Sequence, residues 1–209
     1  MIETYDPKVF TEVPTMDRAR WAILTPQGPL STDQRWAIET PWLAEFLIRK
    51  FNLTSKSRVL DFGCGVGRVA KALIDACGCQ VIGVDFSPKM REFAVPYVAS
   101  DRFTVMAPED FDRHPEQVDV ALAIWVLQHC APLAPELHRL KVAMRPNSRL
   151  FVLNLFRRSV PSVGGIWIDD GIDVEGELRR NFGAVSSGVP PRAIFGDGDG
   201  MFYWAVYRR

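Results

Sequence analysis

Charge of one sign is not in excess: the 209 residues hold 25 Lys and Arg against 25 Asp and Glu, a formal net charge of zero. A chain without positive excess has no electrostatic footprint for nucleic acid or for an anionic membrane surface, so neither partner is expected. No run approaches the roughly 18 apolar residues of a membrane span; the apolar stretch 118–127 carries Asp119 and suits a buried strand. The opening residues Met1–Asp6 lack a basic segment followed by an apolar one, so no secretory signal is expected and a cytoplasmic location is. Cysteine is sparse, at four residues. Cys77-Gly78-Cys79 is too tight for the usual zinc spacing, with no histidine at finger distance, so buried thiols and no metal are expected. Internal repeats and low-complexity tracts are also missing.

What the chain does have is a regular alternation. Residues 1–30 are interrupted by Pro7, Pro14, Pro26, Gly28 and Pro29 and are expected to be irregular. Ser31 or Thr32 can cap a helix running through Lys50, with Trp36, Ile38, Trp42, Leu43, Phe46 and Leu47 at helical intervals. Pro41 marks a kink or restart within it. Beyond lie predicted strands over 58–62, 80–85, 103–106, 118–125 and 150–154, with helices over 66–76, 87–98 and 135–144. Strand and helix at this pitch build a parallel sheet covered on both faces.

The end of the chain differs. After a helix over 174–182, strands over 183–189 and 201–207 are joined by 190–200, whose Pro-Pro and Gly-Asp-Gly-Asp-Gly are turn chemistry, with no helix between. Two strands so joined pair antiparallel. The expected fold is α/β: a three-layer, doubly wound sheet, mostly parallel, with an antiparallel C-terminal hairpin. Residues 1–53 form a leader packed on a core of residues 54–209.

The densest chemical signal is Asp61-Phe62-Gly63-Cys64-Gly65-Val66-Gly67-Arg68, where a buried strand meets a helix through a glycine-rich turn. Glycines let the backbone turn sharply and let a ligand approach without a Cβ clash. A dinucleotide fingerprint places its third glycine at 68, where Arg68 stands. An acid two residues before the first glycine suits a cationic ammonium group better than a pyrophosphate. Asp85 ends the second strand, where a carboxylate can accept both hydroxyls of a ribose.

With Asp61, the glycine triplet and Asp85 in strand–loop–helix–strand context, the chain from about Thr54 resembles the class I S-adenosylmethionine-dependent methyltransferases. The segments 118–130 and 140–154 are similar to that family's fourth and fifth strands, and the terminal hairpin to its single antiparallel strand. The resemblance implies S-adenosylmethionine as cofactor, a Rossmann-like fold, and cofactor contacts from Asp61, Gly63, Cys64, Gly65, Gly67, Asp85 and Phe86. By the same resemblance Asp61 orients the methionine end through its ammonium group or a water, and Phe86 flanks the adenine. Ile124 and Trp125 would touch the methionine portion. One departure is Ala107, at the position where the family commonly has an acid for the adenine amino group; Glu109 or Asp110 reaches back, or backbone groups serve alone.

His129 follows the fourth strand, where the family places methyl transfer. It is either a general base or a brace bonded to neighbouring backbone. Trp21, Trp36 and Trp42 either form a lid over the acceptor or dock the leader. The tetrapeptide of base-amino DNA methyltransferases and the paired-glutamate loop of arginine methyltransferases are both missing. A small-molecule acceptor methylated at oxygen or nitrogen is therefore expected, walled by the leader and residues 156–176. The competing readings are a non-catalytic module keeping the cofactor fold and, from another enzyme class, a nicotinamide oxidoreductase.

Overall fold

The structure, a computed structural model, describes residues 5–196 and 200–209. The leader is more ordered than its prolines suggest. Helices α1 (Lys8–Thr11) and α2 (Met16–Ile23) fit between them, and the Thr15 side chain caps α2 by accepting from the Arg18 amide at 3.2 Å. This corrects the irregular leader expected above: a proline bounds a helix but leaves the interval between prolines free to form one. Helix α3 (Thr32–Phe51) then runs 20 residues through Pro41. Ser31 and Gln34 form a reciprocal capping box at its start, and Asn52, at φ 52°, closes it in the left-handed region.

From β1 (Arg58–Phe62) the alternation unfolds as α4 (Arg68–Cys77), β2 (Gln80–Val84), α5 (Pro88–Val98), β3 (Phe103–Met106), α6 (Pro108–Arg113), β4 (Val118–Ile124), α7 (Ala134–Ala143) and β5 (Met144–Leu155). A small antiparallel hairpin, β6 (Val160–Ser162) with β7 (Ile166–Ile168), lies in the segment expected only to wall a pocket. Then come α8 (Val174–Asn181), β8 (Gly183–Gly188), α9 (Arg192–Phe195) and β9 (Phe202–Arg208). The single turn of α9 is a second correction, since no helix was expected between the last two strands. It starts directly after Pro191, whose carbonyl accepts from the Ile194 and Phe195 amides. Part of the glycine–aspartate turn, residues 197–199, lies outside the described residues.

Seven strands form one sheet in the order β3-β2-β1-β4-β5-β9-β8. Strands β1 to β5 pair in parallel, and β9 runs antiparallel to both β5 and β8. The winding reverses between β1 and β4, and in such sheets a crevice opens beyond the carboxyl ends of the strands at that point. Side chains alternate to two faces, as the period of a strand requires. Leu60, Phe62, Ala121, Ala123, Leu150 and Val152 pack under α7 and α8, while Val59, Val120, Leu122, Phe151 and Leu153 pack under α3 and α4.

A third apolar cluster joins Val13, Ala19, Leu24 and Trp36 of the leader to Val66 and Met90 of the core. Trp36 and Trp42 dock the leader. The Trp36 indole donates to the Tyr97 hydroxyl at 3.2 Å, and Trp42 meets the Phe195 ring edge-on with ring centroids 5.2 Å apart. Trp21 stays 37% exposed under the Arg18 guanidinium. Among the described residues no helix is long and apolar enough to cross a membrane.

Helix α3 carries a buried ion pair, Arg35 Nε to Glu39 Oε1 at 2.6 Å, and Arg35 also donates to the Thr25 carbonyl at 2.6 Å. The Glu39 side chain is fully buried and the Arg35 side chain 8% exposed. Removing one partner of a buried pair strands the other charge, so Glu39→Ala is expected to lower the unfolding free energy by about 3–5 kcal/mol. Denaturant titration checks this; a loss below about 1 kcal/mol, the scale of a surface pair, would contradict it.

Candidate cofactor and acceptor site

The glycine loop is held open by backbone geometry and held down by hydrogen bonds. Gly63, Gly65 and Gly67 have φ of 68°, 54° and 79°, a region in which a Cβ is strained. The Gly63 amide donates to the Val84 carbonyl at 2.7 Å and the Cys64 amide to the same oxygen at 3.2 Å, stitching the loop to the end of β2. Space is as restrictive as torsion. A Cβ on Gly63 would lie 2.4 Å from a Val126 methyl, and one on Gly65 would lie 2.6 Å from Cδ1 of Ile23. The leader therefore rests directly on the loop.

Asp85 joins the two strand ends. One carboxylate oxygen accepts from the Gly65 amide at 2.8 Å and the other from the Ser87 amide at 2.9 Å. The side chain is nearly buried, and burial raises its pKa while the amides of Ser87 and Gly65 pull it back down. Each oxygen keeps a second lone pair, because a carboxylate offers about four acceptor sites.

These groups border a cavity of about 290 Å³ over the sheet's switch point. Gly63, Gly65, Asp85, Phe86, Glu109, Ile124, Trp125 and His129 all line it, eight of the residues marked in the sequence. Asp61, Cys64 and Gly67 do not. Asp61 sits behind the loop instead, bonded to the Ala70 amide in the first turn of α4, with Arg68 in electrostatic reach. Burial pushes its carboxyl up to about 7 against the opposing Arg68 charge, and Oδ2 is left without a hydrogen-bond partner. A residue at the end of a central strand points to one face, and here that face belongs to α4. Cys64 turns its sulfur under the loop: a Cβ on Gly83 would lie 2.8 Å from it. Gly67 packs on α5, where a Cβ would lie 2.5 Å from a Val98 methyl. Arg68, read above only as the residue replacing a third glycine, is buried, donates to Thr40 Oγ1 at 3.0 Å and lies over the Trp36 ring.

Of the two acids after β3, Glu109 faces the cavity, whereas Asp110 pairs with Arg113 one turn along α6. Trp21, Trp36 and Trp42 are not on the wall; the leader's contributions are Tyr5, Phe10, Ala22 and Ile23. Tyr5 and Phe10 went unmarked in the sequence because they fall among prolines with no periodicity to read. Glu136 and Arg139 of α7 also line the cavity and were likewise missed. Their one sequence signal is a three-residue spacing, common to many solvated helix pairs.

His129 is on the wall but not free. Its Nδ1 is 2.5 Å from the Ser159 carbonyl, which fixes the proton on that nitrogen, and its Nε2 is 3.2 Å from the Gln128 side-chain amide. Burial lowers its pKa to about 4, with the Ser159 bond opposing and the Arg158 charge adding to the fall. The loop around it is fixed by buried Arg158, which donates to the carbonyls of Leu127 and Cys130 and to both oxygens of Asp170.

A model of the methyltransferase domain family matches residues 36–191. A ubiquinone biosynthesis O-methyltransferase of Bradyrhizobium diazoefficiens is 31% identical over 116 residues, covering 53% of this chain and 44% of that protein. The human N-terminal Xaa-Pro-Lys N-methyltransferase 1 is 30% identical over 151 residues, covering 69% of this chain and 64% of that one. The chain thus spans about half to two thirds of the length of these relatives. Among solved structures, magnesium protoporphyrin IX methyltransferase from Synechocystis with bound SAH superposes with a TM-score of 0.68 at 18% identity, over 98% of this chain and 100% of that one. At that identity the likeness is one of fold.

The depressed imidazole has a signed consequence. An unfolded histidine titrates at about 6.5. Between that pH and about 4 the unfolded chain takes up a proton that folded His129 refuses, so stability falls as pH falls through this window. Below it both states are protonated and the loss levels off. Wild-type protein is therefore expected to lose thermal midpoint faster than His129→Gln between pH of about 6.5 and 4.5. Equal slopes, or an imidazole NMR titration near the ordinary value, would contradict the placement.

Proposed function

The chain belongs to the class I S-adenosylmethionine-dependent methyltransferase family, and on that footing we propose that its cavity binds S-adenosylmethionine for methyl transfer to an oxygen or nitrogen of a small-molecule acceptor. The observation that carries this reading is Asp85: a carboxylate on the cavity wall, fixed by two backbone amides, with lone pairs left for a ribose diol. Three left-handed glycines beside it leave backbone, not side chain, against a ligand. The residues fit the group. Phe86, 43% exposed at the rim, offers a ring face to an adenine, and Glu109 stands where an amino group could be met. Asp61 acts from behind the wall, holding the first turn of α4 and directing negative charge toward the methionine end.

When bound, the cofactor supplies a methyl group activated by sulfonium charge. The chain's own contribution is to orient and to exclude water. Ile124, Trp125 and Val126 form the apolar floor beyond β4, and Phe10 and Ile23 of the leader cover the cavity. His129 holds its proton at Nδ1 and directs Nε2 toward Gln128, so it braces the loop and is a weak base at neutral pH. Rate then comes mainly from alignment. The two relatives are named for O- and N-methylation, which leaves the accepting atom open.

Calorimetric titration with S-adenosylhomocysteine and NAD tests the reading. Binding of the former and not the latter is expected. Asp85→Asn should weaken binding by about 1.5–3 kcal/mol, the range for hydrogen bonds to a charged group. Preference for NAD, or unchanged affinity in a folded Asp85→Asn protein, would overturn the assignment.

A further inference from the structure

Apolar exposure is gathered at one end of the molecule. Most of the large apolar side chains exposed among the described residues, such as Phe86 after β2, Phe156 after β5 and Met201 before β9, lie in loops at the carboxyl edge of the parallel strands. Its densest part is the β6–β7 hairpin. Residues 160–168 carry no charged side chain, and Val163 and Ile166 at the tip are each 62% exposed, with Trp167 at 44%. The base is fixed. Val160, Pro161 and Ser162 are buried, the Pro161 carbonyl accepts from the Asp6 amide at 3.0 Å, and the Ser159 amide donates to the Gln128 carbonyl at 3.0 Å. The tip stands clear of the rest of the chain: a Cβ on Gly164 or Gly165 would meet nothing within 4 Å. Two strands of three residues enclose no core of their own, so these side chains remain in water unless something else covers them.

Size and charge decide what suits the tip. A stable protein interface takes roughly 20–30 residues a side, matched in shape to the partner. A tip of three apolar side chains falls far short of that. A lipid surface takes apolar side chains without matching their shape, and it holds tryptophan at its polar boundary. Along the chain the first exposed charges on either side are Arg157 and Asp169, one of each sign. That pair suits a zwitterionic headgroup layer and gives no net attraction to an anionic one. The zero net charge of the chain speaks against an anionic membrane and says nothing against a neutral one.

We infer that the β6–β7 hairpin seats the protein on a zwitterionic lipid surface, with Val163 and Ile166 inserted and Trp167 at headgroup level. The seat adjoins the cavity. The Trp167 ring lies 5.9 Å from that of Phe10 and 5.2 Å from that of His129, centroid to centroid, and both of those residues line the cavity. That part of the cavity therefore lies next to the lipid.

The test is flotation of the full chain with phosphatidylcholine vesicles, with and without phosphatidylserine, at low and at high salt. Binding to phosphatidylcholine alone is expected, and phosphatidylserine or salt should change it by less than about twofold, because no net charge is engaged. Val163→Ser combined with Ile166→Ser should weaken it by about tenfold or more, the scale of withdrawing two apolar side chains from burial. The thermal midpoint of that double variant should match the wild type, since both side chains are exposed. Tryptophan fluorescence gives a second reading through a milder change. Brominated phosphatidylcholine should quench the wild type, and Trp167→Phe, which keeps a ring against Phe10 and His129, should lose most of that quenching. No binding to phosphatidylcholine, binding only to phosphatidylserine vesicles that salt reverses, or flotation indifferent to the double variant would overturn the inference. Quenching unchanged by Trp167→Phe would do the same. A lipid-free dimer in sedimentation velocity that the double variant dissociates would make the tip a protein interface and overturn it as well.

Discussion

The site depends on one carboxylate. Asp85 bridges the Gly65 amide at 2.8 Å and the Ser87 amide at 2.9 Å, and so fastens the turn after β1 to the turn after β2. Without that bridge the glycine loop has three residues in the left-handed region and little side-chain mass to restrain it. With it, Val66 is carried into the cluster of Trp36 and Met90, and Gly65 comes to lie under Ile23. The leader packs on what Asp85 has fixed. The group proposed to accept from a ligand is thus also the fastening of the loop beside the cavity, which is why its burial and its place on the cavity wall coexist.

The leader is tied on by charge as well as by apolar contact. The Arg35–Glu39 pair in α3 lies within electrostatic reach of Arg68, and Arg68 within reach of Asp61. Two cations and two anions are buried together here, which balances the group as a whole. Burial nevertheless raises the pKa of Glu39 and of Asp61 and lowers that of Arg68, the directions in which each charge is weakened. Helix α3 and the first turn of α4 therefore share one polar cluster on the side of the loop away from the cavity. That arrangement explains how Asp61 can matter to the loop without touching the cavity wall.

Much of this was legible in the sequence. The alternation from Arg58 onward, the antiparallel end, and the meeting of the glycine loop with Asp85 all follow from local signals: strand length, periodicity and turn residues. Eight marked residues came together on one wall because the sheet topology brings the ends of β1, β2 and β4 to one edge. Asp61 faces α4 instead of the cavity wall because strand-end position does not fix which face a side chain takes. Helices α1 and α2 were hidden by prolines that in fact bound them. Tyr5, Phe10 and Trp167 were unreadable for a different reason. They meet only after the leader and the β6–β7 hairpin cross above the sheet, and no local pattern encodes a contact between chain segments some 160 residues apart.

The fold and the proposed chemistry meet at the Asp85 carboxylate, so the most direct measurement is a crystal structure with S-adenosylhomocysteine bound. The account predicts both ribose hydroxyls within hydrogen-bond distance of the Asp85 oxygens, the Gly65 and Ser87 amides still donating to the same carboxylate, and Phe10 closed over the cavity. A ligand whose ribose lies away from Asp85, or a carboxylate that gives up its two backbone amides to receive it, would contradict the central claim.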